Sequence, residues 1–198
     1  MRRAVVNAGD LLEEGYLQGG FRRQAVLITL TYREVDGWRA NHLTDCLKRM
    51  RQWASRRRFN LGYVWTAELQ QRGAVHYHVV CWLPRGLMMP KPDKQRWWPH
   101  GSTRIERARR AVGYLVKYAS KGDDVEKFPR GLRLHGRGGL DAKQRRIVAW
   151  WLLPRYVRTV FDELGTIVRR ASGGGWLELC TGQWIPPWKP PEATVASG

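Results

Sequence analysis

Two strand-like runs, Leu61–Leu69 and Ala74–Leu83, are separated only by Gln70-Gln71-Arg72-Gly73, and this pairing constrains the fold more than anything else in the chain. So short a connection, closed by a glycine, predicts an antiparallel hairpin. Side chains alternate across a strand, so His76 and His78 share one face while Val75, Tyr77, Val79 and Cys81 share the other. On the partner strand Val64, Thr66 and Glu68 lie on one face, which lets Glu68 approach the histidines across the hairpin.

The elements around the hairpin follow from period and punctuation. Ala25–Tyr32 is a β-rich run that reads as a buried strand ended by Asp36-Gly37. Asn41 can cap a helix whose apolar stripe is Leu43, Cys46, Leu47, Met50, Trp53 and Ala54, and whose opposite face ends in Arg56-Arg57-Arg58. A short strand near Gly101–Glu106 leads into a helix over Ala111–Lys121, stopped by Gly122. The order predicts an α+β fold: a central antiparallel sheet with helices packed on it. Residues 1–24 read as a polar lead-in with a short helix around Leu11–Leu17, and Arg130–Gly139 reads as a basic glycine-rich loop. Residues 141–185 are predicted as a C-terminal extension: a helix capped by Asp141, a second helix after Pro154, and a hairpin turning at Ser172–Gly175. The proline-rich tail, 186–198, is expected to be disordered. No internal repeat occurs.

Charge narrows the partner. The formal net charge of +18 far exceeds what solubility requires and points to a phosphate polymer. The three cysteines, Cys46, Cys81 and Cys180, are widely spaced, which fits a reducing cytosol rather than a disulfide framework. No apolar run is long enough to span a bilayer, and no GxxxxGK[ST] phosphate loop occurs. Eleven tryptophans accompany the charge. Most are expected in the core, but Trp97-Trp98 follows the polar loop Met89–Arg96, where exposed aromatics would suit base stacking on a single strand. Arg104, Arg107, Arg109 and Arg110 lead into the last core helix and are expected to contact DNA. His42, His100 and His135 stand isolated in sequence and are assigned no chemistry.

The chemistry resides in two places. Two imidazoles and a carboxylate (His76, His78 and Glu68) can hold a divalent cation and leave sites open, as catalytic rather than structural centres do. In AVGYLVKYASK the phenols and amines of Tyr114, Lys117, Tyr118 and Lys121 fall on one helical face, with Val112, Leu115, Val116 and Ala119 opposite. Only about one phenol in a thousand is ionised at neutral pH, so a tyrosine nucleophile needs positive charge beside it. A metal that polarises a phosphodiester, a phenol aimed at it and lysines that offset the anionic charge make a nucleic-acid strand transferase. A non-catalytic single-strand-binding module would explain the charge and tryptophans but not these residues. An oxygenase using two histidines and a carboxylate has no use for the charge or the paired tyrosines.

ELQQRGAVHYHVV resembles the metal motif of the HUH endonucleases, and YLVKYASK resembles the two-tyrosine signature of their rolling-circle replication initiators. AVLITLTY resembles the family's upstream strand, and histidines preceding tyrosines is the initiator order, most similar to filamentous phage and prophage proteins. The resemblance covers roughly residues 25–140, the nickase core, with an RRM- or ferredoxin-like sheet whose middle strand carries the histidines. It implies Mg²⁺ or Mn²⁺ on His76, His78 and Glu68, and nicking of single-stranded, cruciform or supercoiled origin DNA. The product would be a 5′-phosphotyrosine and a free 3′-hydroxyl, with Tyr118 attacking before Tyr114 and with Lys117 and Lys121 on the phosphate. It also implies host helicase and polymerase as partners in a bacterial cytoplasm, with no membrane. A transposase of the same superfamily is the nearest alternative.

Overall fold

A computed structural model describes residues 2–18, 23–119 and 127–188. The chain divides into two compact units, Met1–Asp141 and Ala142–Gly198.

In the first unit the order is α1 (Arg2–Gln18), β1 (Arg23–Tyr32), α2 (His42–Ser55), β2 (Gly62–Leu69), β3 (Val75–Pro84), β4 (Gly101–Arg107), α3 (Ala111–Ala119) and β5 (His135–Gly138). The five strands form one antiparallel sheet in the order β4-β1-β3-β2-β5, so β3 occupies the centre. The predicted hairpin is β2–β3. Arg72 in its turn ties the end of β1 to it, donating to the carbonyls of Tyr32 and Arg33.

One face of the sheet is the main core. Val26, Ile28, Leu30 and Tyr32 of β1, Tyr63, Trp65 and Ala67 of β2, and Val75, Tyr77, Val79, Cys81 and Leu83 of β3 pack beneath the predicted stripe of α2. α1 and α3 have no residue in that cluster. They pack on each other, α1 against β2 and β5, and α3 against β1, β2 and β3. Ala4, Val5, Ala8 and Leu12 of α1, Ala111 of α3, and Leu27, Val64 and Val80 of the strands are all buried, so these two helices cover the opposite face. The sheet is thus sandwiched between α2 on one side and α1 with α3 on the other.

Three sequence expectations change. The lead-in is a 17-residue helix, longer than predicted, because Ala4, Val5, Ala8 and Leu12 make an apolar stripe that docks on α3 and β2. The basic loop 130–139 supplies a fifth strand, β5, paired with β2. A Cβ at Gly136 or Gly138 would collide with the rings of Trp65 and Tyr63, so only glycines let β5 lie under those aromatics. Trp98 is fully buried in the main core, with its indole N–H donating to the Thr31 carbonyl at 3.1 Å and its ring edge-on to Tyr32 at 4.8 Å. Trp97 is half-buried against the same core, its ring 6.4 Å from that of Trp53. The loop before them closes as a tight turn, with the amides of Trp97 and Trp98 both donating to the Pro92 carbonyl, and this folds the pair inward. As placed, Trp98 offers no surface for a base.

The second unit contains α4 (Ala142–Trp151), α5 (Arg155–Val160) and a three-stranded antiparallel sheet of β6 (Val168–Arg170), β7 (Trp176–Glu178) and β8 (Trp184–Ile185). It has its own core of Trp150, Leu153, Val157, Phe161 and Ile185. The predicted hairpin is β6–β7.

Candidate active site

The face under α1 and α3 holds the predicted metal residues, and strand register sets them in rows. Directly across the sheet run Ser102, Thr31, His76 and Glu68, one from each of β4, β1, β3 and β2. The next row is Arg104, Thr29, His78, Thr66 and His135, ending on β5. One step further the row becomes Glu106, Leu27, Val80, Val64 and Arg137, with an aliphatic centre. Two polar rows beside an apolar one leave a wet half of the face next to a half sealed by the helices.

Within the polar rows, His78 is buried and its Nε2 donates to Glu68 Oε2 at 2.9 Å. His76 Nε2 lies 3.0 Å from Thr31 Oγ1, and the two imidazole centroids are 4.7 Å apart. The donors suit a divalent cation in kind, being two imidazole nitrogens and a carboxylate oxygen on one face. Thr66, beside His78, has a buried hydroxyl with no hydrogen-bond partner among the described residues, so a polar group from elsewhere is wanted there. The three donors are not gathered around one point, however. Among the described residues no three His, Cys, Asp or Glu side chains enclose a metal position, because Glu68 leans on His78 while His76 turns to Thr31. A cation would take over the atoms that now form these hydrogen bonds.

α3 packs across the strands that carry these residues. On it Ala111 is buried, Val112 and Val116 are half-buried, and Tyr114 and Lys117 are exposed, as the helical pattern predicts. The backbone of α3 includes Tyr118, whose side chain lies outside the described residues, as does Lys121. Other tyrosines are poor nucleophiles by placement. Tyr77, although between the two histidines in sequence, points to the α2 face, and burial pushes its phenol up to about 12. Burial likewise raises Tyr32 and Tyr63. Tyr114 is 37% exposed, which leaves its hydroxyl accessible.

The four arginines before α3 are all exposed but do not share a face. Arg104 is on the histidine face, where it pairs with Glu106 at 2.9 Å, whereas Arg107 stands opposite Val26 on the other face. Arg109 and Arg110 form the turn into α3. Sequence reasoning missed Thr29, Thr31, Ser102, Thr66 and His135. The threonines were legible as polar residues alternating with apolar ones in β1, but His135 depends on the register of β5, which no pattern revealed. Burial holds the His135 imidazole below its ordinary value, and neighbouring positive groups add to the effect. His42 and His100 stack at 3.5 Å beside Tyr32, on the α2 side and away from His76 and His78.

Among the described residues no helix is long and apolar enough to cross a membrane. Neither a curated protein sequence nor a solved structure matches the chain. Residues 25–123 match the profile of a family described as replication-associated protein of the ORF2 type, a span that runs from β1 past the end of α3 and takes in Glu68, His76, His78, Tyr114 and Tyr118. With half of its length matched, and a central-strand histidine pair beneath a tyrosine-bearing helix, the chain belongs to this family of replication-associated proteins.

Proposed function

We propose that the chain initiates rolling-circle replication by nicking single-stranded origin DNA through a tyrosine and later rejoining it. The observation that carries this reading is the packing of α3, with its exposed phenol and amine, over the sheet face on which Glu68, His76 and His78 lie.

In the nicking step the phenolic oxygen of Tyr118 or Tyr114 bonds to phosphorus and the P–O3′ bond breaks. The phenol loses its proton and the departing 3′ oxygen gains one, leaving a 5′-phosphotyrosine and a free 3′-hydroxyl. One ester replaces another, so no nucleotide is consumed, and attack by a 3′-hydroxyl reverses the step. Mg²⁺ or Mn²⁺ on His76, His78 and Glu68 would polarise the phosphate and offset its developing charge. Lys117, one turn from Tyr114, supplies a cation on the same helical face and favours the phenolate. The Glu68–His78 hydrogen bond orients both side chains, and Thr31 sets the ring of His76. Arg104 lies in the same row as His78 and suits a phosphate further along the strand.

The test is incubation of the protein with end-labelled single-stranded DNA and Mn²⁺, followed by electrophoresis in denaturant. A labelled band at the mass of protein plus DNA is expected with single strands or hairpin loops, and none with relaxed linear duplex or in excess EDTA. In-line attack needs a backbone free of stacked duplex geometry, so equal cleavage of relaxed duplex would overturn the reading.

A further inference from the structure

The arginine run that ends α2 is not used by the chemistry above. α2 buries Leu43, Cys46, Leu47, Met50, Trp53 and Ala54 against Tyr77 and Val79, whose side chains point away from the His76 and His78 face. Its outer surface is therefore on the far side of the sheet from the histidines. Lys48, Arg49, Arg51, Gln52, Ser55 and Arg56 are all exposed there, within an arc of about 160°. Arg57 and Arg58 extend the surface past the helix end. No acidic residue occurs between Asp45 and Glu68, and Lys48, Arg49, Arg51, Arg56 and Arg58 have no acidic partner among the described residues.

Such a surface opposes its own helix. Lys48 and Arg51 are like charges one turn apart, and intervening glutamates would have relieved them. The helix also ends on Arg58 at a φ of 58°, a left-handed conformation that favours glycine, so a cation stands where backbone preference asks for none. Arg57 is anchored instead, its guanidinium 4.6 Å over the Trp53 ring and bonded to the Trp53 carbonyl. Trp53 is buried and Phe59 half-buried, so the surface offers cations and short polar side chains with no open aromatic face. Single-strand platforms combine charge with exposed rings, whereas a duplex backbone needs charge alone.

We propose that the outer face of α2 is a second DNA-binding surface, fitted to the phosphate backbone of duplex DNA, on the side of the sheet opposite the histidines. It holds the double-stranded template while the other face is left for a single strand. This inference does not depend on the nicking chemistry, because binding alone tests it.

The experiment compares wild type with the triple variant Arg49→Ala/Arg51→Ala/Arg56→Ala, using a short duplex of arbitrary sequence and a single strand of equal length, at several salt concentrations. Duplex affinity should fall at least about tenfold at low salt, and the slope of log affinity against log salt should become shallower by about two to three. Single-strand affinity and adduct formation on a short single strand should stay within about twofold of wild type. The triple lysine variant, which keeps the charge, should retain duplex binding and so separate charge from helix integrity. Unchanged duplex affinity in the alanine variant would make the surface an ordinary solvated face. An equal loss for duplex and single strand would equally overturn the assignment.

Discussion

At the scale of single residues, the chain distinguishes side chains that do chemistry from near neighbours that hold the fold. His76 and His78 flank Tyr77 in sequence, yet the strand turns the imidazoles to one face and the phenol to the other, where Trp38 donates to its hydroxyl at 2.7 Å. Replacing His78 by alanine should lower cleavage of single-stranded DNA by at least about 100-fold. Non-specific DNA affinity should stay nearly intact, since it comes from the basic surface. Parallel gel-shift and cleavage assays check this, and loss of both together would mean a collapsed site. Glu68→Ala should be milder, because water can replace one carboxylate ligand. Trp98 carries the opposite expectation. Its ring is fully buried against Tyr32, so Trp98→Ala should destabilise the protein by about 3–5 kcal/mol in urea unfolding. Its DNA affinity below the transition should be preserved, whereas a stable variant that had lost DNA affinity would restore the stacking role.

Among the elements, legibility tracks how much information a segment carries for itself. The β2–β3 hairpin was legible because two long runs and a four-residue turn admit one register, and that register puts Glu68 opposite His76. α2 and α3 were legible from stripes at helical spacing. β5 was not, because His-Gly-Arg-Gly looks like a loop until the rings of Trp65 and Tyr63 fill the space its glycines leave. Trp97 and Trp98 misled for a related reason: the polar residues before them build a tight turn rather than an open loop. In the second unit, a turn makes a testable pH signature. Glu178 is buried at the end of β7 and accepts hydrogen bonds from the Cys180 and Thr181 amides at 2.9 and 2.6 Å and from the Thr181 hydroxyl at 2.6 Å. These bonds, the Thr181 hydroxyl foremost, hold its carboxyl down at about 2. A depressed folded value means that Glu178 stabilises the unit fully above the ordinary carboxylate range near 4 and loses that contribution as pH falls towards about 2. Thermal melts of wild type should therefore fall between these values, and Glu178→Gln should melt lower at neutral pH with a flatter acid limb. A variant with an unchanged acid limb would assign the loss to other groups.

For the whole molecule, the sheet of the first unit separates two surfaces of different character. One is a half-wet face where histidines, a carboxylate, threonines and Arg104 lie under a tyrosine-bearing helix. The other carries α2 and its unbroken run of cations. A net charge of +18 makes affinity for DNA strongly salt-dependent, so binding by itself says little about which face is engaged. Covalent chemistry says more, because only the first face lies under the helix that carries Tyr114 and Tyr118. The central claim is that Tyr118 and Tyr114, one turn apart on α3, are both nucleophiles used in alternation. Peptide mapping by mass spectrometry of the protein–DNA adduct formed in Mn²⁺ tests it most directly. The account predicts nucleotide mass on Tyr118 and on Tyr114, some adduct in each single phenylalanine variant with Tyr118→Phe the weaker, and none in the double variant. DNA attached elsewhere, or an adduct that persists in the double variant, would contradict it.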